Sequence, residues 1–258
     1  MLHAVGMPEK NKPYLYPQLV RSGVQEVLLL NPEQWQEQTR NLLEEIQPDV
    51  VWVFTFPWKI PTALLSIPRH GFMNFHFGLL PEYPGADPVF WQMKNREAMC
   101  GVTIHQMTPE VDMGPVLWRE EVPSVPAETY GMNCVRLGLI TANLIDRLAA
   151  QINTPDFAGI PQAACTSEFS RRPVVSDLTI RWMEQTAEEI EWLVNATNPK
   201  YDGAVTSLRG MEVRIIEVTP VNMNEAQAAE PGTIVHADNI YGLIVACADK
   251  KFIRVTII

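Results

Sequence analysis

Three polar side chains in the first half of the chain have the types and spacing needed for acyl transfer. Asn74 and His76 are two residues apart in a predicted strand, so their side chains project from the same face. Asp112 lies in a predicted turn between two later strands. An asparagine amide can donate to a developing oxyanion, and a histidine beside a carboxylate can polarise a carbonyl and handle protons. The set suits the transfer of an acyl group.

The same residue types also have structural roles. An Asn-x-His pair on a strand is often hydrogen-bonded within the fold, and Asp112 before Met-Gly suits an ordinary turn. His105 alternates with Thr103 in a strand and is better explained as a buried or pocket-wall histidine than as a ligand. Such a transfer requires no covalently attached residue, so Ser, Cys and Lys are not needed as nucleophiles, and the chain has no nucleophile elbow.

The elements that must position these residues alternate as in a parallel α/β sheet. A helix is predicted to begin with Asn31 as N-cap and Pro32 at its first position and to end near Gln47. Thr129 is predicted to cap a long helix. Strands are predicted at 24–30, 49–56, 71–76, 101–107 and 115–122, with a short helix at 89–95. Asn74 and His76 therefore lie at the carboxyl end of a strand, where open α/β sheets bind ligands.

The second half of the chain changes character. It is irregular and contains prolines between 152 and 176, and a helix is then predicted at 184–196. The strand-like segments AVTSL, EVRIIEV, GTIVHA and LIVAC follow, a pattern typical of a small β-barrel. We therefore predict a catalytic domain over 1–160, a linker over 161–183, and a helix with a small barrel over 184–258.

Composition and charge limit the location and the partners. The 258 residues are 47% hydrophobic and 19% charged, without a long apolar run or a signal peptide, so we expect a cytoplasmic protein with no membrane contact. The net charge of -10 disfavours nucleic acid. No cysteine pair has zinc-ligand spacing, and we expect no metal and no disulfide. The cysteines, interpreted as small apolar residues, are Cys100, Cys134, Cys165 and Cys247.

Together the motifs resemble the formyltransferase family that uses 10-formyltetrahydrofolate. The family pattern is Asn-x-His-x-Ser-Leu-Leu-Pro-x-Tyr-x-Gly, followed by Gly-x-Thr and Asp-x-Gly. The matching residues are Asn74, His76, Leu79, Leu80, Pro81, Tyr83, Gly85, Gly101, Thr103, Asp112 and Gly114. The resemblance implies a Rossmann-like domain with a mostly parallel sheet, Asn74, His76 and Asp112 as catalytic residues, and 10-formyltetrahydrofolate as formyl donor. The later strands resemble the OB-like C-terminal barrel of methionyl-tRNA formyltransferase and its relatives.

The resemblance also implies residues that contact the folate. Trp58, Lys59 and Ile60 lie where the family offers backbone groups to the pterin ring, although a simple covered loop is the alternative. We also expect contacts from the loop after the catalytic histidine and from the turn before the aspartate. These residues are Leu79, Leu80, Pro81, Glu110 and Val111.

Three departures from the family pattern concern the active-site loop and the N-terminus. Gly78 stands where the family usually has serine, and Pro84 where many members have arginine. The opening strand, glycine turn and helix of the family have little room here, because LHAVG matches the second strand better than the first. We expect a sequence that is shortened at its N-terminus or starts at a misassigned Met. The competing account takes LHAVG as the first strand.

The formyl acceptor is left open among three hypotheses. The first is an amine of a small metabolite such as an amino sugar. The second is methionyl-tRNA, favoured by the C-terminal similarity but disfavoured by seven Lys and Arg against twelve Asp and Glu from Ser176 onward. The third, of another class, is a truncated protein that binds folate or another ligand without catalysis. The oligomeric state is not predicted.

Overall fold

The computed structural model describes residues 4–21, 26–154, 157–163, 168–222 and 229–258. The fold is mixed α/β, with a mostly parallel sheet in the N-terminal domain and an antiparallel sheet in the C-terminal domain, which confirms the predicted fold class. The chain divides into two compact units. The first comprises Met1–Asn74 and Gln106–Gly114, and the second comprises Phe75–His105 and Pro115–Ile258.

The first unit begins with a parallel strand pair. In this pair Ala4 is opposite Glu26, and Pro8 is opposite Leu30. A core of apolar residues lies beneath the helices and includes Leu30, Leu43 and Val53. The elements are β1 (Ala4–Pro8), α1 (Lys12–Arg21), β2 (Glu26–Leu30), α2 (Trp35–Ile46), β3 (Val51–Phe54), α3 (Thr62–Leu65) and β4 (Phe72–His76), which continues into the second unit after Asn74.

Helix α2 starts three residues later than predicted. The Asn31 side chain accepts a hydrogen bond from the Glu33 amide at 2.8 Å, and its carbonyl accepts from the Gln34 and Trp35 amides at 3.1 and 2.8 Å. This turn precedes the helix, so the prediction of Pro32 as first helical residue was wrong. The physical reason is that asparagine and proline also favour turns, and the buried Trp35 fixes where the helix begins.

The N-terminal part of the second unit carries the strand pair that follows the candidate loop. Strand β5 pairs with β6 in antiparallel register, with Met99 opposite Pro123 and an irregularity between Ile104 and His105. As predicted, the Thr129 hydroxyl caps a helix, accepting from the Met132 amide at 3.3 Å. The elements are α4 (Pro88–Lys94), β5 (Met99–Gln106), β6 (Val116–Pro123) and α5 (Tyr130–Gln151).

The C-terminal part of the second unit is an antiparallel sheet covered by a helix. Its four-stranded sheet has the order β10-β11-β12-β9, and β7 and β8 form a separate hairpin. The predicted segment EVRIIEV is divided between β8 and β9 at Ile216, and β12 was not predicted. The elements are α6 (Val175–Leu178), α7 (Ala187–Thr197), β7 (Ala204–Leu208), β8 (Met211–Ile215), β9 (Glu217–Val221), β10 (Ile234–Asp238), β11 (Gly242–Ala246) and β12 (Phe252–Ile257).

Three observations concern membrane spans, metal groups and cysteines. No helix within the described ranges has the length and apolar character that crossing a membrane requires. In the same ranges, no three His, Cys, Asp or Glu side chains are grouped as a metal site. Cys100, Cys134 and Cys247 are free thiols, whereas Cys165 lies outside the described residues.

Candidate active site

Two of the predicted catalytic residues meet in the first unit. Asn74 Nδ2 donates to Asp112 Oδ1 over a long distance of 3.5 Å. The Asp112 residue is only 9% exposed. The Asp112 carboxylate is the hydrogen-bond acceptor at this position. The Asn74 amide is a neutral donor that does not titrate, so its ability to donate does not depend on its protonation state.

A tight turn brings Asp112 to the strand that carries Asn74. The Met107 amide donates to the Phe72 carbonyl at 2.8 Å, which ties the start of the turn to β4. Within the turn the Thr108 hydroxyl donates to the Glu110 carbonyl at 2.9 Å. Asp112 itself has a φ of 55°, a conformation that aspartate tolerates better than most residues. The backbone conformation of the turn at residue 112 is therefore one that aspartate can adopt.

The other predicted residues of the first unit divide between core and surface. The Trp58 ring stacks on Trp35 with centroids 5.4 Å apart and an interplanar angle of 17°. Ile60 is buried in the same core, whereas the Lys59 side chain is exposed. Glu110 and Val111 are also exposed. Their folate contacts stay predictions, and the core packing of Trp58 gives the neighbouring backbone a rigid support.

His76 is oriented by the loop that follows it in the second unit. Its Nε2 lies 2.7 Å from the Tyr83 carbonyl oxygen. Because a carbonyl only accepts, Nε2 must carry a hydrogen, and Nδ1 is the nitrogen at which neutral imidazole and imidazolium differ. The His105 ring lies edge-on with its centroid 6.4 Å away and is buried, as expected for a pocket-wall or core histidine.

The loop between Phe77 and Tyr83 is fastened by side chains of β5 and β6. The Thr103 hydroxyl donates to the Gly78 carbonyl at 2.7 Å and accepts from the Leu80 amide at 3.0 Å. Arg119 donates to the Leu80 carbonyl at 2.7 Å. Leu79 and Leu80 are buried and Pro81 is half-buried. The loop expected to contact folate is thus held by polar groups on one side.

Some residues of this loop network were not assigned a role from the sequence. Arg119 forms a bidentate pair with the Glu82 carboxylate, with N–O distances of 3.0 and 3.1 Å. The Tyr83 hydroxyl donates to Glu97, and burial together with this bond raises the pKa of Tyr83 to about 12. Tyr83 belongs to the family pattern, so the sequence carried a signal that this residue matters. Arg119 and Glu97 have no comparable signal, because their partners are distant in sequence.

Comparison with known proteins decides the family. The family model for the formyl transferase domain matches residues 9–137, and that for the formyl transferase C-terminal domain matches residues 175–258. The chain belongs to the formyl transferase family. The two matched segments leave an unmatched connection at 138–174. The boundaries predicted at 160, 183 and 184 stay predictions.

The relatives of this chain include methionyl-tRNA formyltransferases. That of Aromatoleum aromaticum is 33% identical over 83% of this chain and 66% of its own length. That of Marinobacter nauticus is 30% identical over 84% of this chain and 67% of its own length. The chain therefore spans about two thirds of the length of these relatives.

Solved structures show the same fold at low sequence identity. HypX from Aquifex aeolicus in complex with tetrahydrofolic acid has a TM-score of 0.68 and 18% identity, covering 98% of this chain and 43% of HypX. WlaRD, a sugar 3N-formyl transferase, has a TM-score of 0.69 and 16% identity, covering 99% of this chain and 86% of WlaRD. These similarities establish the fold of this formyl transferase family member, including its C-terminal sheet domain.

Proposed function

We propose that the chain transfers a formyl group from 10-formyltetrahydrofolate to an amine of a small metabolite such as an amino sugar. The observation that supports the proposal is the hydrogen bond between Asn74 Nδ2 and Asp112 Oδ1, two of the residues predicted from the sequence to be catalytic. His76 follows Asn74 by two positions in β4, so strand geometry directs both side chains to one face. A neutral donor, an imidazole and a carboxylate are the groups that formyl transfer between two nitrogens requires.

Each residue has a distinct role in the proposed reaction. The folate cosubstrate supplies the formyl group and leaves as tetrahydrofolate when the new carbon–nitrogen bond to the acceptor replaces the old one. Asn74 donates to the formyl oxygen as negative charge develops there. Asp112 accepts the proton that the attacking amine loses, and this proton finally resides on the folate nitrogen. When the His76 ring is protonated, its Nδ1–H donates a hydrogen bond that polarises the formyl carbonyl, because Nε2 already donates to the Tyr83 carbonyl.

Charge supports a small acceptor over tRNA. The whole chain has a net charge of -10, and a protein that binds RNA phosphates needs a local surplus of Lys and Arg. The alternative, methionyl-tRNA, is favoured by the names of the relatives with about one third identity. A third hypothesis, of another class, is a noncatalytic protein that binds folate or another ligand.

The deciding experiment supplies 10-formyltetrahydrofolate and follows tetrahydrofolate release. Amino sugars, free or linked to a nucleotide, amino acids, charged initiator tRNA and water are offered separately. Release that depends on an amino sugar supports the proposal. Release with tRNA that falls steeply with salt supports the alternative acceptor, and release with water alone indicates a hydrolase. Absence of release with every acceptor would refute catalysis.

Variants test the three residues. We expect Asn74→Ala and Asp112→Asn each to reduce turnover by about two or more powers of ten while the protein stays folded. Asp202→Asn is the matched control, because Asp202 also has a positive φ of 57° but is exposed outside the candidate site. Full activity of either candidate-site variant would remove that residue from the mechanism.

A further inference from the structure

A buried carboxylate lies at the end of the loop that follows His76. The Asp87 side chain is only 6% exposed and is within 2.8 Å of Lys200 Nζ. It accepts a hydrogen bond from the Tyr130 hydroxyl at 3.0 Å and another from the Tyr201 hydroxyl. We call Asp87, Tyr130, Lys200 and Tyr201 the Asp87 cluster.

Asp87 is not used as an ordinary helix cap. It occupies the N-cap position of α4, where an aspartate usually accepts from the first helical amides. Here its side chain makes no capping hydrogen bond, and its φ is 60°. The carboxylate is instead turned to the two tyrosines and the lysine. The cost of its unusual backbone conformation and of its burial is therefore offset by partners outside the helix.

The partners of Asp87 satisfy one another as well. Lys200 Nζ donates to the Tyr130 hydroxyl oxygen at 2.7 Å and lies 4.8 Å from the centroid of that ring. Burial raises the pKa of Tyr130 and of Tyr201, so both hydroxyls keep their protons and donate to the carboxylate. Removing one partner of a buried charge of this kind is destabilising, because it leaves the remaining groups incompletely paired.

The cluster joins segments that are distant in the sequence. Tyr130 begins α5, whereas Lys200 and Tyr201 follow α7 in the region matched by the C-terminal family model. Tyr201 is separated from Asp87 by 114 positions. Arg214 donates to the Tyr201 carbonyl at 3.1 Å, which ties this tyrosine to β8. The C-terminal region thus contributes directly to the surroundings of Asp87.

The loop between His76 and Asp87 is held in place by backbone hydrogen bonds to Ser170. Backbone hydrogen bonds join Ser170 to the carbonyl of Pro84 and to the amide of Ala86, at 2.8 and 2.7 Å. Gly85 between them has a φ of 96°, and a Cβ there would lie 2.4 Å from the Ser170 carbonyl oxygen. The loop has little freedom over these residues. Tyr83 precedes Gly85 by two positions, and its carbonyl accepts the hydrogen bond from His76 Nε2.

We propose that the Asp87 cluster is a positioning element through which Lys200 and Tyr201 of the C-terminal region fix the loop at 83–87 and thereby the ring of His76. The proposal rests on the proposed function in one respect, that His76 takes part in the reaction. In this role Tyr201 and Asp87 act through the loop and not on a reacting atom. The C-terminal domain is then part of the catalytic apparatus, in addition to any role in holding the acceptor.

The test compares Tyr201→Phe with Tyr241→Phe, a matched change at an exposed position of the turn between β10 and β11. We expect Tyr201→Phe to lower kcat about tenfold with a smaller change in the KM for either substrate, and to shift the acid limb of the pH profile. Tyr241→Phe should match the wild type. Lys200→Met, at a half-exposed lysine, gives a second variant if Tyr201→Phe does not fold.

Two further measurements keep this inference separate from the proposed function. Ring proton and nitrogen signals of His76 by NMR should shift in Tyr201→Phe whether or not the wild type turns over. Unfolding midpoints should show that Tyr201→Phe has a smaller effect in an Asp87→Ala background than in the wild type. Unchanged His76 signals, or a lowered midpoint with wild-type kcat and pH profile in the folded variant, would overturn the positioning role. Absence of turnover in the wild type would instead refute the proposed function.

Discussion

Replacing Thr103 by valine isolates the hydrogen bonds that hold the loop after His76. Thr103 is 0% exposed, and its hydroxyl bonds both the Gly78 carbonyl and the Leu80 amide. Valine has nearly the same shape, so the substitution leaves no cavity but deprives a buried acceptor and a buried donor of their partner. Leaving one such group unsatisfied costs about 1–3 kcal/mol. With two such groups, we expect a loss of about 2–6 kcal/mol in the free energy of unfolding.

Thr103→Ser is the matched control. Serine keeps the hydroxyl and both hydrogen bonds and removes only one buried methyl group, which costs about 1 kcal/mol. The two variants therefore separate polar from apolar contributions at one position. At about 2–4 °C per kcal/mol for a unit of this size, the valine variant should melt several degrees below the serine variant.

Thermal and urea unfolding of both variants measure this difference. In the transfer assay, the valine variant should also have the higher KM for 10-formyltetrahydrofolate. Leu79 and Leu80, which we predict to contact the folate, belong to the loop that loses these hydrogen bonds. Equal stability of the two variants would refute the reasoning. It would mean that the Gly78 carbonyl and the Leu80 amide find other partners when the hydroxyl is absent.

Two further predictions concern the neighbourhood of His76 and the acid limit of stability. A Cβ at Gly78 would lie 2.8 Å from His76 Nε2, so Gly78→Ala should displace the ring and lower kcat about tenfold or more, whereas Gly138→Ala, in open space, should leave kcat unchanged. The hydrogen bond from Arg171 lowers the pKa of Asp177 from its ordinary value of 3.8. The ionised Asp177 therefore contributes its full stabilisation above pH 3.8, and this stabilisation is lost as the pH falls through the lowered pKa. Asp177→Asn should lower the unfolding midpoint at pH 7 and flatten the loss of stability below about pH 4, as measured by melting across that range; an unchanged acid profile would contradict this assignment.

Local signals explain which parts of the fold were predictable. The Thr129 cap and α5 were correctly predicted because a side-chain cap and a helical period act within a few residues. The alternation of apolar segments gave the strands of the α/β part for the same reason. The start of α2 was wrong because Asn31 and Pro32 are compatible with either a turn or a helix start. Packing of the buried Trp35 selects between these two conformations.

The sequence by itself determined the family, the α/β class and the positions of the candidate catalytic residues, because the motifs are contiguous and a strand has a fixed period of two. Tertiary structure decided which groups support them. Thr103 reaches the Gly78 carbonyl across 25 positions, and Tyr130 and Tyr201 reach Asp87 across 43 and 114 positions. No local pattern specifies such partners. They follow from the packing of distant segments, which brings their side chains to the Gly78 carbonyl and to the Asp87 carboxylate.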